Sequence, residues 1–493
     1  MIFNHLKEIS KNTLLYGAGQ GIRRFFSIFT APILTRIFSP ADYGVISLIS
    51  TTLAFSALVI SLGISAGIFR NYYDVNDAEK KVLLFSGITS QMIIICLIII
   101  LAEIFADTIS LMIFGTNSYG RIIRIALIQI PLIEIFEHFA TLLRYQNRPK
   151  TYLFISSFQL ACNLFFLLFY VIYLKLGIEG IFLGIISSYA IPLVILWIKQ
   201  SKYYTISFHY EYVKKSLAFS IPLMPGWFIN MYLMQSNRFF LQSFHSSTEV
   251  GLYSIGDRIA GIMSVVMTMF FLAWDPLSMK IINNKFEHRV YDSVARIFLF
   301  LSSILIICIT FFSKEALIIF TTSKYYSAFK YPGLIAFGTM TFYLNYFLGQ
   351  GIIINKKTIY QSYARIVGAI FATIVFLLLI PNYSGMGASI GLVIGYFISG
   401  ILLIYFSEKL YHLPYKYYRI ALSYFFTFSV ISIYLISTTD SFSLSLMTIL
   451  IKCIFILLFI ILLLFITFTR DELNKIMEKM SKFSNGNMRS ERV

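Results

Sequence analysis

The chain has 493 residues, of which 58% are hydrophobic and only 13% are charged, a composition outside the range of soluble domains. A formal net charge of +17 would suggest a nucleic-acid partner for a soluble protein. Here the basic residues concentrate in turns between apolar stretches, so the charge predicts membrane topology and no nucleic-acid partner.

Long apolar stretches follow one another along almost the whole chain, with only short polar turns between them. About 20 apolar residues cross a bilayer as a helix, so each stretch is long enough to span it. We predict helices at Asn12–Ile37, Tyr43–Phe69, Val82–Phe105, Gly120–Leu143, Tyr152–Leu174, Gly180–Ile198, Ser216–Leu241, Gly251–Ile281, Val294–Phe320, Tyr331–Ile354, Ile359–Ile380, Gly387–Phe406, Tyr418–Ile436 and Leu444–Phe468. The expected fold class is an all-α polytopic membrane protein with about fourteen transmembrane helices.

The turns alternate between basic and almost uncharged. The basic ones carry Arg70, Lys80, Lys81, Arg144, Arg148, Lys150, Lys199, Lys202, Lys214, Lys215, Lys280, Lys285, Arg289, Lys356, Lys357, Lys409, Lys416 and Arg419. Turns such as Ser39–Asp42, Pro381–Met386 and Ser437–Ser443 carry none. We call the side with the Lys/Arg-rich turns the basic face. The positive-inside rule makes it cytoplasmic and predicts that both termini lie on that side of the membrane.

The two halves of the chain look like repeats of each other. A shift of 207 positions aligns Gly44 with Gly251, Ser47 with Ser254, Lys150 with Lys357, Thr151 with Thr358, Gly180 with Gly387, Gly184 with Gly391 and Tyr189 with Tyr396. Six helices per half is an even number, which predicts parallel repeats. We therefore expect an N-terminal lobe (1–210), a C-terminal lobe (211–410), two appended helices (411–470) and a cytoplasmic tail (471–493) that forms a short surface helix.

Charged residues inside predicted helices are costly in hydrocarbon, so they should face protein or water. Arg23 and Arg24 lie near the middle of the first helix, where they could bind an anion or pair with acidic residues of a neighbouring helix. Helix four offers Glu134, Glu137 and His138. Glu134 and His138 share a face at i, i+4, so they are candidates for carrying a coupling ion, either H⁺ or Na⁺, or for a structural polar seam.

The second half contributes further candidates. Asp257 and Arg258 are adjacent in helix eight, and Arg238 at the outer end of helix seven could pair with Asp257. We expect Arg258 to line a cleft and Asp257 to be a further ion-coupling candidate. Asn345 and Gln350 in helix ten suit sugar hydroxyls but could equally bond neighbouring helices.

Motifs of enzymes are missing from the sequence. It has no Walker phosphate loop, HExxH, GxSxG or DxD-type cluster, so we expect neither an enzyme nor an ATP-driven pump. Cys96, Cys162, Cys308 and Cys453 lie in apolar runs without paired spacing, which predicts packing residues and no metal site. We expect no cofactor.

Two segments carry a family resemblance. Ala31–Gly44, which reads APILTRIFSPADYG, resembles the first outer turn of Wzx-type oligosaccharide flippases of the polysaccharide transporter family, and Glu249–Ser254 resembles the equivalent turn of their second half. The resemblance covers helices one to twelve. It implies two six-helix lobes around a basic cavity, and a cargo of undecaprenyl-diphosphate-linked oligosaccharide moved to the periplasmic leaflet for O-antigen, capsule or exopolysaccharide. Arg23, Arg24 and Arg258 best match the family's cavity cations, and the acidic residues of helices four and eight depart from a uniformly basic cavity.

Three alternatives stay open. A multidrug exporter shares this fold, but its cationic substrates need an acidic cavity. The peptidoglycan lipid II flippase is closer in chemistry, although the arginine-rich turn expected after its first helix is missing here. A membrane glycosyl polymerase or ligase also handles lipid-linked sugars, but those enzymes usually have a long external loop; such a polymerase could instead be a partner.

Overall fold

A computed structural model of the protein describes Phe26, residues 30–281 and 289–439, Phe442, residues 445–472 and Asn474. These residues form helices joined by turns and contain no β-strand. Eleven of the described helices are long and apolar enough to cross a membrane. The prediction of an all-α polytopic membrane protein is confirmed.

The helices follow the predicted order, and we label them α1–α14 accordingly. Their bounds are residues 30–37 (α1); Pro40–Ile60 and Ile64–Asn71 (α2); Asp77–Ile104 (α3); Gly120–Leu127 and Gln129–Tyr145 (α4); Pro149–Leu168 with a π-helical turn at Phe169–Tyr173 (α5); Gly177–Gln200 (α6); Tyr210–Ser220, Met224–Gln235 and Asn237–Phe244 (α7); Ser247–Ile281 (α8); Arg289–Phe311 and Ser313–Phe320 (α9); Pro332–Leu348 and Gln350–Ile354 (α10); Ile359–Leu410 (α11 and α12); Tyr417–Ser437 (α13); and Leu446–Thr467 (α14). Shorter helices at Ala106–Phe114 and Ser323–Lys330 lie in turns. We call α1–α6 the N-terminal bundle and α7–α12 the C-terminal bundle.

Three features make the described number of spans smaller than the predicted one. The 52-residue run Ile359–Leu410 contains two predicted spans and changes direction at Ser384, whose φ of 48° and ψ of −129° are not helical. Helix α10 is interrupted at Gly349, which leaves 17 residues in its longer part, Pro332–Leu348. Helix α1 is described only at Phe26 and over residues 30–37, so the total of fourteen stays a prediction.

The two bundles meet where α2 crosses α8, and glycine allows this close approach. A Cβ atom on Gly44 would lie 1.7 Å from the backbone oxygen of Ser247, and one on Gly251 would lie 1.9 Å from that of Pro40. Each of these contacts is the other one shifted by 207 positions. The crossing therefore has the internal symmetry expected of parallel repeats.

A second pair of equivalent glycines occupies equivalent places within the bundles. Gly180 of α6 lies against the backbone of Tyr170 in α5, and Gly387 of α12 lies against the backbone of Leu379 in α11. Small residues at these points let neighbouring helices pack closely. The aligned glycines thus mark the same helix–helix contact in each bundle.

The far end of α2 contacts the C-terminal bundle near the basic face. Its second segment, Ile64–Asn71, packs on the first segment of α7, Tyr210–Ser220. A Cβ atom on Gly67 would lie only 2.2 Å from the backbone oxygen of Ser216. Helix α2 therefore joins the two bundles at both of its ends.

Helices α13 and α14 are fixed to α9 of the C-terminal bundle by a charge cluster at the basic face. Arg296, only 1% exposed, binds both carboxylate oxygens of Glu472 at 2.7 and 2.8 Å and also contacts Asp292. Asp292 accepts a hydrogen bond from the backbone of Lys416 at the start of α13. Hydrogen bonding to Arg296 lowers the pKa of the Glu472 carboxyl well below its usual range. The predicted tail helix beyond Asn474 lies outside the described residues.

Candidate functional site

The segment that carries the family resemblance has a clear physical role as the start of α2. The Ser39 hydroxyl accepts a hydrogen bond from the backbone N–H of Asp42 at 3.2 Å, and the Asp42 carboxylate accepts one from the backbone N–H of Ser39 at 3.0 Å. This reciprocal capping box, with Pro40 in the first turn, fixes where the helix begins. It also fixes the direction in which α2 approaches α8, and hence the position of the interface.

A polar cluster lies between the bundles just below this crossing. We call Arg238, Asp257, Arg258, Ser47 and Ser254 the interface cluster. The hydroxyls of Ser47 and Ser254, which are equivalent in the two halves, hydrogen-bond to each other at 2.7 Å. Arg238 donates to the Asp257 carboxylate at 2.7 Å and to Ser47 at 3.2 Å. The predicted Arg238–Asp257 pair is confirmed.

Arg238 is buried although it lies near the outer end of helix seven, and only 5% of its surface is exposed. Besides Asp257 and Ser47, its guanidinium contacts the Gln235 side-chain oxygen at 2.6 Å. Arg238 is buried because α7 turns it towards α2 and α8, where carboxylate, amide and hydroxyl oxygens replace its water shell.

Arg258 reaches from the C-terminal bundle to the N-terminal one. Its guanidinium lies 5.1 Å from the centre of the Tyr43 ring, and it donates to the Thr30 hydroxyl at 3.4 Å. Tyr43 belongs to the resembling segment and is 3% exposed. A cation stacked on an aromatic face keeps its N–H groups directed outward around the ring edge. Arg258 therefore lies at the interface between the bundles, next to α1. Arg23 and Arg24 lie outside the described residues.

In the N-terminal bundle the predicted acidic residues form a different arrangement. The Ser65 hydroxyl donates to Gln91 at 3.0 Å, and Gln91 donates to the Glu134 carboxylate at 2.7 Å. Glu137 is half-buried on the same helix. His138 is 1% exposed, and both of its ring nitrogens lack a hydrogen-bond partner among the described residues.

Aromatic rings surround His138. The Phe69 ring centre lies 5.3 Å from that of the imidazole, and the Tyr204 ring centre lies 6.2 Å away. Glu134 is hydrogen-bonded to Gln91 on the α3 side of α4. The structure thus places Glu134 in a polar chain and His138 in an aromatic pocket, without a hydrogen bond between them.

The two uncharged candidates lie inside the C-terminal bundle. The Asn345 side-chain amide donates to the backbone oxygen of Tyr396 at 3.0 Å and so ties α10 to α12. Gln350 is 5% exposed and opens the second part of α10. Asn345 also lines a cavity, whereas Gln350 does not contribute to the lining described below.

Two residues that the sequence analysis did not propose as site residues, Arg365 and Tyr396, line the same cavity between α10, α11 and α12. Arg365 lies only a few residues from the basic turn at Lys357, so in sequence it resembles an ordinary helix-end residue. Tyr396 is one of 33 tyrosines. Its alignment with Tyr189 was the signal that could have marked it.

The described residues hold no group of three or more His, Cys, Asp or Glu side chains that could bind a metal ion. All four cysteines are unpaired, and Cys96 and Cys453 are exposed on helix surfaces.

Comparison with known proteins shows where this architecture occurs. The family model for polysaccharide biosynthesis proteins matches residues 9–282. The capsular polysaccharide biosynthesis protein CapF of Staphylococcus aureus is 25% identical over 399 residues, which cover 77% of this chain and 94% of that protein.

Solved structures share the fold at low sequence identity. An inward-closed structure of the lipid II flippase MurJ superposes with a TM-score of 0.68 at 17% identity, covering 90% of this chain and 98% of that one. An inward-facing multidrug transporter of the MATE family gives a TM-score of 0.61 at 15% identity, over 80% and 94% of the two chains. Together with the match to more than half of the chain, these findings show that the protein belongs to the polysaccharide biosynthesis protein family and has the fold of membrane flippases and transporters.

Proposed function

We propose that this protein moves a lipid-linked oligosaccharide across the membrane, from the cytoplasmic leaflet at the basic face to the opposite leaflet. The cargo is an oligosaccharide repeat unit on undecaprenyl diphosphate, destined for a surface polysaccharide such as capsule, O-antigen or exopolysaccharide. Rocking of the two bundles would expose the interface cluster alternately to each side. The protein would act in the inner membrane of a bacterium, and a polysaccharide polymerase is a possible partner that would receive the cargo.

The observation that carries this proposal is the position of Arg258 at the interface between the bundles. A guanidinium group binds phosphate oxygens through paired, charge-assisted hydrogen bonds, which suits a diphosphate head. Arg258 rests on Tyr43 and Thr30 of the opposite bundle, so separation of the bundles would uncover it. We extend the same role to Arg23 and Arg24 of the first helix. Asn345 and Gln350 are kept as candidates for contacts with sugar hydroxyls.

The membrane potential provides a driving force for this direction of transport. The cytoplasm is electrically negative, so moving negative charge outward is favoured by about 2.3 kcal/mol per charge for each 100 mV. A diphosphate carries more than one charge, so the contribution grows accordingly. A coupling ion could add to it, with Glu134, Glu137, His138 and Asp257 as candidate carriers. The chain from Ser65 through Gln91 to Glu134 supports Glu134 as the strongest of these candidates.

The proposal is tested by complementation of a strain that lacks the gene. Deletion should abolish the surface polysaccharide and cause lipid-linked repeat units to accumulate in the inner leaflet. An Arg258→Ala variant should restore at most about a tenth of the polysaccharide, because loss of one charge-assisted contact costs about 1.5–3 kcal/mol. Arg258→Lys should restore part of it. The double variant Arg23→Ala/Arg24→Ala should fail similarly.

The matched control is Arg121→Ala, whose side chain is 78% exposed and pairs with Glu179 away from the interface. It should restore normal polysaccharide. Protein levels in the membrane must be equal for all variants. Full complementation by Arg258→Ala and by the double variant would contradict the phosphate-binding role.

One alternative function has structural support, since the fold also occurs in MATE multidrug transporters. Those proteins would need an acidic cavity for cationic drugs, whereas the interface cluster has two arginines and one aspartate. Overexpression should therefore leave resistance to cationic drugs unchanged. A second alternative is lipid II transport, which is supported by the fold shared with MurJ. It predicts that the gene can replace an essential lipid II flippase, and our proposal predicts that it cannot.

A further inference from the structure

The C-terminal bundle contains a small polar cavity away from the interface cluster. It lies between α10, α11 and α12 and is lined by Asn345, Tyr346, Gln361, Arg365, Tyr396 and Ser399, with apolar contacts from Phe342, Ile353 and Leu403. Its volume of about 50 Å³ is enough for a few water molecules or one small polar group. Most of the polar side chains that line the cavity can donate hydrogen bonds, so the cavity suits a group that accepts them.

Arg365 gives the cavity a positive charge. Its guanidinium lies beside the Tyr346 hydroxyl, to which it can donate a hydrogen bond. Among the residues that the structure describes, no carboxylate lies within 4 Å of Arg365, in contrast to Arg238 and Arg296, which have acidic partners. A helical rise of about 1.5 Å per residue places Arg365 roughly 10 Å inside the basic face. A charge at that depth needs water or an anion as its partner.

Tyr396 provides a second, independent observation at this cavity. The residue is 3% exposed, yet its hydroxyl has no hydrogen-bond partner among the described residues. Leaving a buried hydroxyl unpaired costs about 1–3 kcal/mol, so such groups normally bind a partner. The backbone oxygen of Tyr396 accepts a hydrogen bond from Asn345, which ties this turn of α12 to α10. The enclosed hydroxyl of Tyr396 thus lacks a partner in a residue that lines the cavity beside Arg365.

The cavity adjoins a second one that leads towards the interface cluster. Phe342 and Tyr396 line both, and the second cavity continues past Tyr253 to Asp257. A group bound at Arg365 would thus lie in the same row of cavities as the proposed cargo site. The C-terminal bundle encloses this row on its own, without residues of the N-terminal bundle.

We propose that this cavity is a second anion site, in which Arg365 and the Tyr396 hydroxyl hold a carboxylate or phosphate group of the transported molecule. This rests on the proposed function and adds a property of the substrate: it carries an anionic group that the C-terminal bundle recognises separately from the interface cluster. The group could be the carboxylate of an acidic sugar or one phosphate of the lipid diphosphate. Either would supply two or more oxygens for Arg365 and accept a hydrogen bond from Tyr396.

The test measures binding of soluble probes to the purified full-length protein in detergent. Thermal unfolding is recorded with glucuronate, with inorganic pyrophosphate and with neutral glucose, each at the same millimolar concentration and constant ionic strength. We expect an anionic probe to raise the Tm of the wild type by about 1–2 °C and glucose to have no effect. Arg365→Gln should abolish a glucuronate shift and reduce a pyrophosphate shift, since pyrophosphate can also bind at Arg258. Tyr396→Phe should reduce either shift, and Arg365→Lys should retain part of it. Arg121→Gln is the matched control and should behave like the wild type.

The probes distinguish the two sources of the anion. A shift with glucuronate that depends on Arg365 assigns the site to an acidic sugar, and a shift confined to pyrophosphate that Arg365→Gln reduces assigns it to the lipid diphosphate. Anion-induced shifts that Arg365→Gln leaves undiminished, or no shift with either anion, would overturn the proposal. The Tm without ligand and the gel-filtration profile show whether each variant is folded. If Arg365→Gln does not fold, Tyr396→Phe serves as the test variant instead. An anion-induced shift that is undiminished in Tyr396→Phe also rejects the site.

This result is separable from the proposed function. Arg258→Ala removes a contact at the interface cluster and should leave the glucuronate shift in place, because the cavity does not include Arg258. If anions bind at Arg365 but polysaccharide export is normal in Arg258→Ala cells, the phosphate-binding role of Arg258 fails and the second site stands. If Arg258 is required for export but no anion binds at Arg365, the phosphate-binding role of Arg258 stands and the second site is rejected.

Discussion

At the scale of single residues, each buried arginine is stabilised by the protein groups that take the place of its hydration shell. Arg238 lies among carboxylate, amide and hydroxyl oxygens, and Arg258 lies on the face of Tyr43. Arg296 binds two carboxylates, so it serves to fix helices rather than to bind cargo. The contrast explains why these arginines have different roles: a guanidinium saturated by acidic partners has no remaining capacity for an anion.

The Arg238–Asp257 pair should stabilise the interface measurably. Arg238→Gln and Asp257→Asn should each lower the free energy of unfolding by about 1–3 kcal/mol, because each leaves a charge without its partner. The double variant should lose less than the sum, which gives a coupling energy of about 1 kcal/mol, since the Asp257 side chain is 43% exposed and partly screened.

The exposed pair Arg70–Asp74 is the control for this cycle. Its side chains are 57% and 60% exposed, so its coupling energy should be at most a few tenths of a kcal/mol. Chemical unfolding in detergent would supply both values. Equal coupling in the two pairs would show that burial at the interface adds nothing to the interaction.

At the scale of helices, the positions of a few small and capping residues decide how the bundles meet. The Ser39–Asp42 capping box starts α2, and Gly44 then lies against α8 within the next turn. Gly251 plays the equivalent role at the start of α8. A turn followed by a Tyr-Gly or Gly-Leu-Tyr segment is therefore found at the start of both α2 and α8. The turn sets where the helix starts, and the glycine permits contact with the other helix.

The crossing makes a prediction for glycine substitutions. Gly44→Ala and Gly251→Ala should lower the stability of the protein in this conformation by about 1–3 kcal/mol, because a Cβ atom would overlap a backbone oxygen that cannot move independently of its helix. The control is Gly261→Ala in the same helix α8, where no atom lies within 4 Å of the added Cβ.

Gly261→Ala should be neutral or stabilise by up to about 1 kcal/mol, because alanine has the higher helix propensity. Thermal unfolding of the three purified variants separates the two cases. A loss of stability in Gly261→Ala equal to that in Gly251→Ala would mean that the helix, and not the crossing, requires glycine.

At the scale of the whole molecule, the structure shows the bundles in contact at both ends of α2. At one end Ser47 meets Ser254, and near the basic face Gly67 meets Ser216. Alternating access requires that each of these contacts opens at some stage, because the cargo head must enter from one side and leave from the other. The contacts are small and polar or glycine-lined, which suits interfaces that separate and re-form.

A cysteine pair tests whether opening at the α2–α8 crossing is needed for transport. With the four native cysteines replaced by serine, Ser47→Cys and Ser254→Cys should form a disulfide on mild oxidation, since the two hydroxyl oxygens lie 2.7 Å apart. Surface polysaccharide production should fall to the level of the deletion strain and recover after reduction.

Each single cysteine variant serves as the control and should be insensitive to oxidant. Loss of both free thiols, measured by maleimide labelling, reports formation of the cross-link. Undiminished polysaccharide production by fully cross-linked protein would rule out separation of the bundles at this crossing as a step in transport.

Several properties could be predicted from the sequence because they depend on local composition. Membrane helices follow from apolar stretches of sufficient length, and the family from the Ser39–Gly44 turn and its counterpart at Gly251. The Arg238–Asp257 pair was predictable because a charge inside the membrane favours an opposite one nearby, and both residues lie near the outer ends of consecutive helices. The repeat of 207 positions was visible in the sequence because equivalent helix contacts in the two halves need equivalent small residues.

The tertiary structure alone decided which side chains share a site. Arg365 and Tyr396 are 31 positions apart and lie in a common cavity only because α11 and α12 fold back on each other at Ser384. Glu134 and His138 share a helix face in sequence, yet one joins a polar chain from α3 and the other an aromatic pocket with Phe69. Apolar length and charge bias act along one helix and can be read from its residues. The surroundings of a side chain depend on the angle and depth at which other helices pack against it, which no single helix encodes.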